Sequence, residues 1–183
     1  MNQSYQVASH FYDEMLLKDG RYRGHYREYW QWLQQADQQA IARKREEAAL
    51  LFHRLGITFN VYGEDGGEER LIPFDSVPRI IPAGEWAMLD KGIRQRVQAL
   101  NAFLHDIYHD QRILKAGIIP AEQVLVNDQY QPCMQGLNLH RDLYAHIIGV
   151  DMVRNSDGEY YVLEDNLRTP PGVSYMLENR KMM

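Results

Sequence analysis

The pair Asp157–Gly158 separates two runs rich in β-forming residues, YAHIIGVDMVR and EYYVLEDN. An Asp-Gly pair between such runs is a strong signal for a β-hairpin, because both residues tolerate the positive φ angles of a type I′ turn. We therefore predict a hairpin over about residues 144–166, with Asp157 and Gly158 as its two-residue loop. With this loop Ser156 faces Glu159, and each step away from the turn pairs the next two residues outward.

That register places acidic and amide side chains on one face of the hairpin. Asp151 is then opposite Glu164, and Asn166 points to the same face, opposite Gly149. Two carboxylates at cross-strand distance repel each other unless a positive charge lies between them. Hard oxygen ligands at this spacing suit Mg²⁺, whereas the alternative is a solvated hairpin end whose acids face water. A three-residue loop would break the convergence.

The rest of the chain predicts an α+β fold. Apolar residues recur every three or four positions in one segment, which is typical of an amphipathic helix over about 86–115: Trp86, Leu89, Ile93, Val97, Leu100, Leu104 and Ile107. Residues 57–74 predict two strands around a glycine-rich turn at 63–67. We therefore expect a helical N-terminal arm over 1–55, followed by a part over 56–183 with a small mixed sheet, the long helix and the hairpin.

Composition excludes several function classes. The 183 residues carry a net charge of −5, which provides no electrostatic footprint for nucleic acid or an anionic membrane, so we expect neither partner. Aromatic and Arg residues interleave in RYRGHYREYWQW, and a helical arm packed on the body is the favoured interpretation. Cys133 is the single cysteine, and no apolar run approaches the ~20 residues of a membrane span. These features together favour the cytoplasm.

A second candidate site lies in the predicted long helix. His105 and His109 stand one helical turn apart in HDIYH, which imitates the H-E-x-x-H zinc motif. Asp106 replaces the glutamate, and its shorter side chain reaches a metal-bound water poorly. A polar helix face is the favoured interpretation, and a zinc hydrolase is the minor alternative.

The segment GVDMVRNSDGEYYVLEDNLRTPPG resembles the metal-binding hairpin of ATP-grasp ligases, with an Asp on one strand and Glu-x-Asn on the next. Further stretches, ITFNVYGEDGGEERLIPFDSVPRIIPAGEW, ALNAFLHDIYHDQ and LEDNLRTPPGVSYMLENR, are similar to circularly permuted ATP-grasp proteins, grouped with glutathionylspermidine-synthase-like and peptide-ligase-like enzymes. The resemblance runs from about residue 10 to the last residue. It implies that Asp151, Glu164 and Asn166 hold Mg²⁺ or Mn²⁺ ions that bridge the phosphates of ATP.

The resemblance also implies a reaction, carboxylate–amine ligation through an acyl phosphate, and candidate anion-binding residues. Arg154 and Arg168 are candidate catalytic clamps, because a guanidinium fork matches phosphate or carboxylate. Strand parity places Arg154 on the face away from Asp151, whereas Arg168 has even parity with Asn166. Gly172 and Ser174, with Arg168, are candidate nucleotide-binding residues, although Pro171 stands where the family usually has serine.

Permuted relatives continue well beyond this hairpin, and that continuation brings the lysines and the adenine pocket of the nucleotide site. The resemblance therefore implies that this chain corresponds to the front portion of a longer protein, an apparently incomplete ATP-grasp fold. The expected partners are ATP, a small carboxylate and an amine or peptide, and either a completing chain or a second copy. A non-catalytic module that only binds a partner chain is the alternative function.

Overall fold

The computed structural model describes residues 11–56, 58–61, 68–71, 75 and 77–182. The chain divides into two compact units. The first contains the residues up to Pro82 together with 153–161 and the segment after 170, and the second contains 83–152 and 162–170. The predicted C-terminal hairpin therefore contributes its tip to the first unit and its base to the second.

The helices of the first unit are α1 (Arg27–Gln35) and α2 (Gln38–Arg54), preceded by a 3₁₀ turn at Gly24–Tyr26. Asp37 caps α2, because its carboxylate accepts a hydrogen bond of 2.9 Å from the backbone N–H of Gln39. Gly56 follows the helix with a φ of +64°, a conformation that favours glycine.

Two strands follow α2, β1 (Thr58–Val61) and β2 (Glu68–Leu71). They pair antiparallel, with Thr58 opposite Leu71. The turn that the sequence predicts at 63–67 lies outside the described residues. A last helix of this unit, α6 (Gly172–Met182), comes after the C-terminal hairpin.

Tyr26 connects the aromatic N-terminal segment to the proline-rich segment at 78–82. It is 2% exposed, and its hydroxyl accepts a 2.8 Å hydrogen bond from the Ile80 N–H and donates one of 3.2 Å to the Pro78 carbonyl. Burial raises the pKa of this phenol. Leu16, Ala48 and Phe52 are the other buried apolar residues of this unit among those the structure describes. Tyr26 thus packs within the first unit, whereas Trp32 of the same aromatic segment is exposed.

The second unit is built on α3 (Ala83–Tyr108), which coincides with most of the predicted amphipathic segment. Leu89 and Ile107 of the predicted stripe are buried, whereas Trp86 is 55% exposed. Asn101 is a buried polar residue on the same helix. Its Oδ1 accepts hydrogen bonds from the N–H groups of Tyr144 and Ala145, at 2.8 and 3.1 Å, which holds the segment before the hairpin on α3.

The predicted helix over about 86–115 is divided in the structure into α3 and a one-turn helix, α4 (Arg112–Lys115). Asp106 explains the division, because its carboxylate accepts 2.9 Å hydrogen bonds from the N–H groups of Arg112 and Ile113. These bonds, the one to Ile113 above all, hold the pKa of Asp106 below its usual value. A further short helix, α5 (Ala121–Leu125), follows.

The hairpin strands are β3 (Gly149–Arg154) and β4 (Tyr160–Asn166). In place of the expected mixed sheet, the described strands form two separate two-stranded sheets, β1–β2 and β3–β4. Each is a local hairpin, and a mixed sheet also needs parallel partners from distant segments. Within the described part of the chain, no helix has both the length and the apolar character that crossing a bilayer requires.

Asp106→Asn is expected to lower the free energy of unfolding by about 1 kcal/mol at pH 7, because an uncharged oxygen accepts the two N–H bonds less strongly. Since the pKa of Asp106 is lowered on folding, its contribution is complete above the ordinary aspartate pKa of about 3.9 and is lost as the pH falls through the lower, folded value. Wild type and variant are therefore expected to converge in acid, as measured by thermal unfolding from pH 7 downward.

Asp110→Asn is the matched control, because the Asp110 carboxylate is 61% exposed and pairs with a guanidinium that is 81% exposed. Its effect is expected to be small at every pH. An equal loss of stability in the two variants would contradict the capping role of Asp106.

Candidate metal and nucleotide site

The hairpin loop has three residues, Ser156–Gly158, and not the two that the sequence predicts. The Asn155 N–H donates to the Glu159 carbonyl and the Gly158 N–H donates to the Asn155 carbonyl, each at 3.0 Å. Gly158 alone takes a positive φ, +88°, so this is a type I turn with a glycine bulge. The side chain of Asn155 explains the choice, because its Oδ1 accepts the N–H groups of Asp157 and Glu159 at 3.0 and 2.8 Å.

The three predicted metal ligands nevertheless meet at the base of the hairpin. The Asn166 amide nitrogen lies 3.1 Å from Glu164 Oε1 and 3.4 Å from Asp151 Oδ2. A Cβ placed on Gly149 would lie 3.5 Å from the Asn166 Cβ, which shows that these two residues face each other as expected. The structure thus brings Asp151, Glu164 and Asn166 together, and their role as ligands stays a prediction.

An irregularity in β4 accounts for this convergence despite the longer loop. Exposure alternates along the strand from Tyr160, but Leu163 and Glu164 are both exposed. We infer a bulge at these two residues, because one extra residue in one strand produces such a break in alternation. The bulge offsets the one-residue shift that the three-residue loop introduces. The expectation that such a loop breaks the convergence was therefore wrong.

The chemistry of this cluster fits a hard divalent cation. Between the two carboxylates lies the amide NH₂ of Asn166, a donor that satisfies both negative groups. Rotating the amide presents Oδ1 instead and completes a set of three oxygen ligands, which Mg²⁺ prefers. Asp151 and Glu164 are exposed, so further oxygen ligands can reach the same point. Among the described residues, no group of three His, Cys, Asp or Glu side chains is placed to hold a metal ion. The candidate site therefore depends on the Asn166 amide as its third ligand.

The predicted anion-binding residues have different surroundings. The exposed Arg168 donates from Nη1 to the Gln129 Oε1 at 3.0 Å. Gly172 is the first residue of α6, and Ser174 is exposed, with its N–H donating to the Pro171 carbonyl at 3.0 Å. Arg168 is thus accessible to solvent, and the Gln129 group that it binds is uncharged.

Arg154 is held inside the first unit. Its side chain is 12% exposed, and its guanidinium lies 4.1 Å from the ring centre of Tyr12 and 4.6 Å from that of Tyr160. It also donates from Nε to the Gly158 carbonyl at 2.8 Å and from Nη1 to the Tyr160 hydroxyl at 3.1 Å. These contacts support a structural role in the hairpin tip.

The histidine pair does not resemble a zinc site. The rings of His105 and His109 stack with centres 4.2 Å apart, and His109 Nδ1 lies 2.9 Å from the His105 carbonyl. Asp106, which would have to act as the base, is bound to the amides at the start of α4. The zinc-hydrolase alternative therefore gains no support.

One contact of the site escapes sequence reasoning. Arg96 on α3 binds Asp165, the residue between Glu164 and Asn166, through both of its carboxylate oxygens. The alternation of β4 indicates that Asp165 points away from its neighbours, but nothing in the sequence indicates a partner 69 positions upstream.

Residues 78–183 match the family described as a circularly permuted ATP-grasp. The chain belongs to this family. It is 42% identical over 182 residues to an uncharacterized protein of Synechocystis, 39% identical over 175 to one of Mycobacterium leprae, and 39% identical over 184 to a protein of Frankia alni provisionally named glutamate–cysteine ligase 2-3.

These matches cover 99%, 96% and 97% of this chain but 37%, 30% and 20% of the respective relatives. The chain thus spans between about a fifth and two fifths of the length of these curated relatives. The resemblance inferred from the sequence motifs is confirmed.

Gly149→Ala is expected to lower the free energy of unfolding by about 1–3 kcal/mol, because overpacking forces neighbouring groups apart. The new Cβ would lie 3.0 Å from the Pro170 Cβ, so the proline ring must shift by a few tenths of an ångström, whereas 3.5 Å from the Asn166 Cβ is an ordinary contact. Chemical denaturation measures the loss. In the control Gly92→Ala, within α3, the new Cβ meets nothing within 4 Å, so stability is expected to hold or rise. Equal effects of the two substitutions would rule out a steric role for Gly149.

Proposed function

We propose that this chain carries the metal-binding part of an ATP-dependent carboxylate–amine ligase, with Asp151, Glu164 and Asn166 as ligands of Mg²⁺ or Mn²⁺. The observation that carries the proposal is the convergence of these three side chains, at 3.1 and 3.4 Å, on a hairpin inside the segment that matches the ATP-grasp family.

Electrostatics supports a cation at this point. A neutral amide compensates two neighbouring carboxylates only through hydrogen bonds, whereas a divalent cation neutralises both charges. Magnesium sites commonly use one or two carboxylates and leave the remaining positions to waters and substrate phosphates. When bound, the ion supplies neutralisation of phosphate charge.

Arg168 is proposed as a clamp for a phosphate or carboxylate of the substrates. Its guanidinium is exposed and donates a hydrogen bond to the neutral Gln129 amide. A charged, bidentate oxyanion binds a guanidinium more strongly than a single neutral amide does, so an incoming anion can displace Gln129.

Gly172 and Ser174 are proposed to bind the nucleotide at the start of α6. The helix begins at Gly172, and a helix N-terminus favours anions because backbone N–H groups and the helix dipole both point outward there. A Cβ on Gly172 would meet no atom within 4 Å, so the backbone is open to a ligand.

The proposed reaction has two steps. A carboxylate oxygen takes the γ-phosphoryl group of ATP, which forms an acyl phosphate and ADP. An amine nitrogen then attacks the acyl carbon, loses a proton and forms the amide as phosphate leaves. The name of the Frankia relative supports amino-acid substrates. We propose that polypeptide outside these 183 residues contributes the adenine pocket.

A module that only binds a partner chain is the second candidate. The two candidates differ in one measurable property, because only the first requires a cation site that responds to nucleotide.

The proposal predicts that the purified chain binds Mn²⁺, and binds it more tightly with ATP, as measured by loss of the free Mn²⁺ signal in electron paramagnetic resonance. Glu164→Gln is expected to weaken binding at least tenfold, because it removes a charged ligand. Glu159→Gln is the matched control: the same change on the same hairpin, at a carboxylate that accepts the Tyr161 hydroxyl at 3.0 Å.

Circular dichroism confirms that each variant is folded. A folded wild-type chain that binds no Mn²⁺, or equal binding by wild type and Glu164→Gln, would overturn the metal site. Mn²⁺ binding that ATP does not change would favour the partner-binding module.

A further inference from the structure

The Arg96–Asp165 contact joins α3 to the strand that carries two of the three proposed ligands. Arg96 donates from Nε to both carboxylate oxygens of Asp165 at 2.8 Å and from Nη2 to Oδ2 at 2.5 Å. Asp165 is 12% exposed and Arg96 is 44% exposed. This bidentate geometry restricts the orientation of the carboxylate more than a single hydrogen bond does.

The position of Asp165 in β4 relates this contact to the site. Because successive side chains of a strand point to opposite faces, the Asp165 side chain lies on the face opposite to that of Glu164 and Asn166. Holding Asp165 therefore holds the backbone on both sides of it. The bulge inferred at Leu163 and Glu164 makes such an anchor for the β4 backbone more important, because strand register is least well determined where alternation is interrupted.

We propose that Arg96 and Asp165 are positioning residues for the metal ligands: the ion pair sets the orientation of β4 so that Glu164 and Asn166 face Asp151. This inference rests on the proposed function. A partly exposed ion pair contributes little to stability, typically about 0.2–1 kcal/mol, so the effect is expected in the geometry of the site more than in folding.

Charge and geometry predict opposite results for Arg96→Gln. Removing a positive charge near a cation site tightens cation binding if the charge alone matters. Releasing β4 weakens binding if the contact positions the ligands, and loss of such supporting partners commonly costs about 10–100-fold in metal affinity. The sign of the change therefore distinguishes the two explanations.

The experiment measures Mn²⁺ affinity and the spectrum of bound Mn²⁺ by electron paramagnetic resonance, together with thermal unfolding, for the wild type and Arg96→Gln. Arg94→Gln is the matched control, because Arg94 lies two residues away on α3 and pairs instead with Asp90 on the same helix at 2.8 Å. Arg96→Gln is expected to weaken Mn²⁺ binding about tenfold or more and to alter the bound spectrum, whereas Arg94→Gln leaves both unchanged.

Two further variants complete the test. Arg96→Lys keeps the positive charge but not the planar guanidinium, so we expect a smaller loss of Mn²⁺ affinity than in Arg96→Gln. It replaces Arg96→Gln in the test if that variant does not fold. The double variant Arg96→Gln/Asp165→Asn is expected to lose no more Mn²⁺ affinity than the weaker-binding of the two single variants, because each single substitution already removes the same contact. Unchanged or tighter Mn²⁺ binding by folded Arg96→Gln overturns the inference alone, whereas absent binding by folded wild type overturns the proposed metal site itself.

Discussion

Repulsion between the carboxylates of Asp151 and Glu164 is the constraint on which the hairpin base depends. These side chains share one face of β3–β4, and the Asn166 amide, at 3.4 and 3.1 Å, compensates both. Gly149 faces Asn166 and Pro170, and a side chain at this position would crowd the proline. Like charges this close cost stability unless a positive group compensates them, and our proposal assigns that role to a divalent cation.

Polar contacts from one helix organise the second unit around this base. Asn101 of α3 holds the segment before β3, Asp106 holds the start of α4, and Arg96 holds β4 through Asp165. Each contact joins a side chain on α3 to a segment far from it in sequence or outside the helix. Because charged and amide hydrogen bonds are directional, they determine orientation where apolar contacts determine only proximity. Three side chains of one helix thus bind three other segments of the second unit.

Aromatic and guanidinium stacking has the corresponding role at the hairpin tip, in the first unit. Arg154 lies between the rings of Tyr12 and Tyr160, and a Cβ on Gly158 would lie 2.5 Å from the Tyr12 ring. Gly158 is thus required by this packing as well as by its positive φ. The Arg23 guanidinium also lies 4.2 Å from the Tyr12 ring centre, and Arg79 pairs with Glu14 in the same unit.

The sequence by itself determined the family, the hairpin and the identities of the three converging side chains, because strand periodicity and turn chemistry are local properties of the chain. It did not determine the loop length, since an Asp-Gly pair suits both a two-residue type I′ loop and a three-residue loop with a glycine bulge, and the chain adopts the second. Only the tertiary structure decided the partner of Asp165, because this contact joins residues 69 positions apart. Periodicity places a side chain on a face, whereas only the packed chain decides what lies against that face.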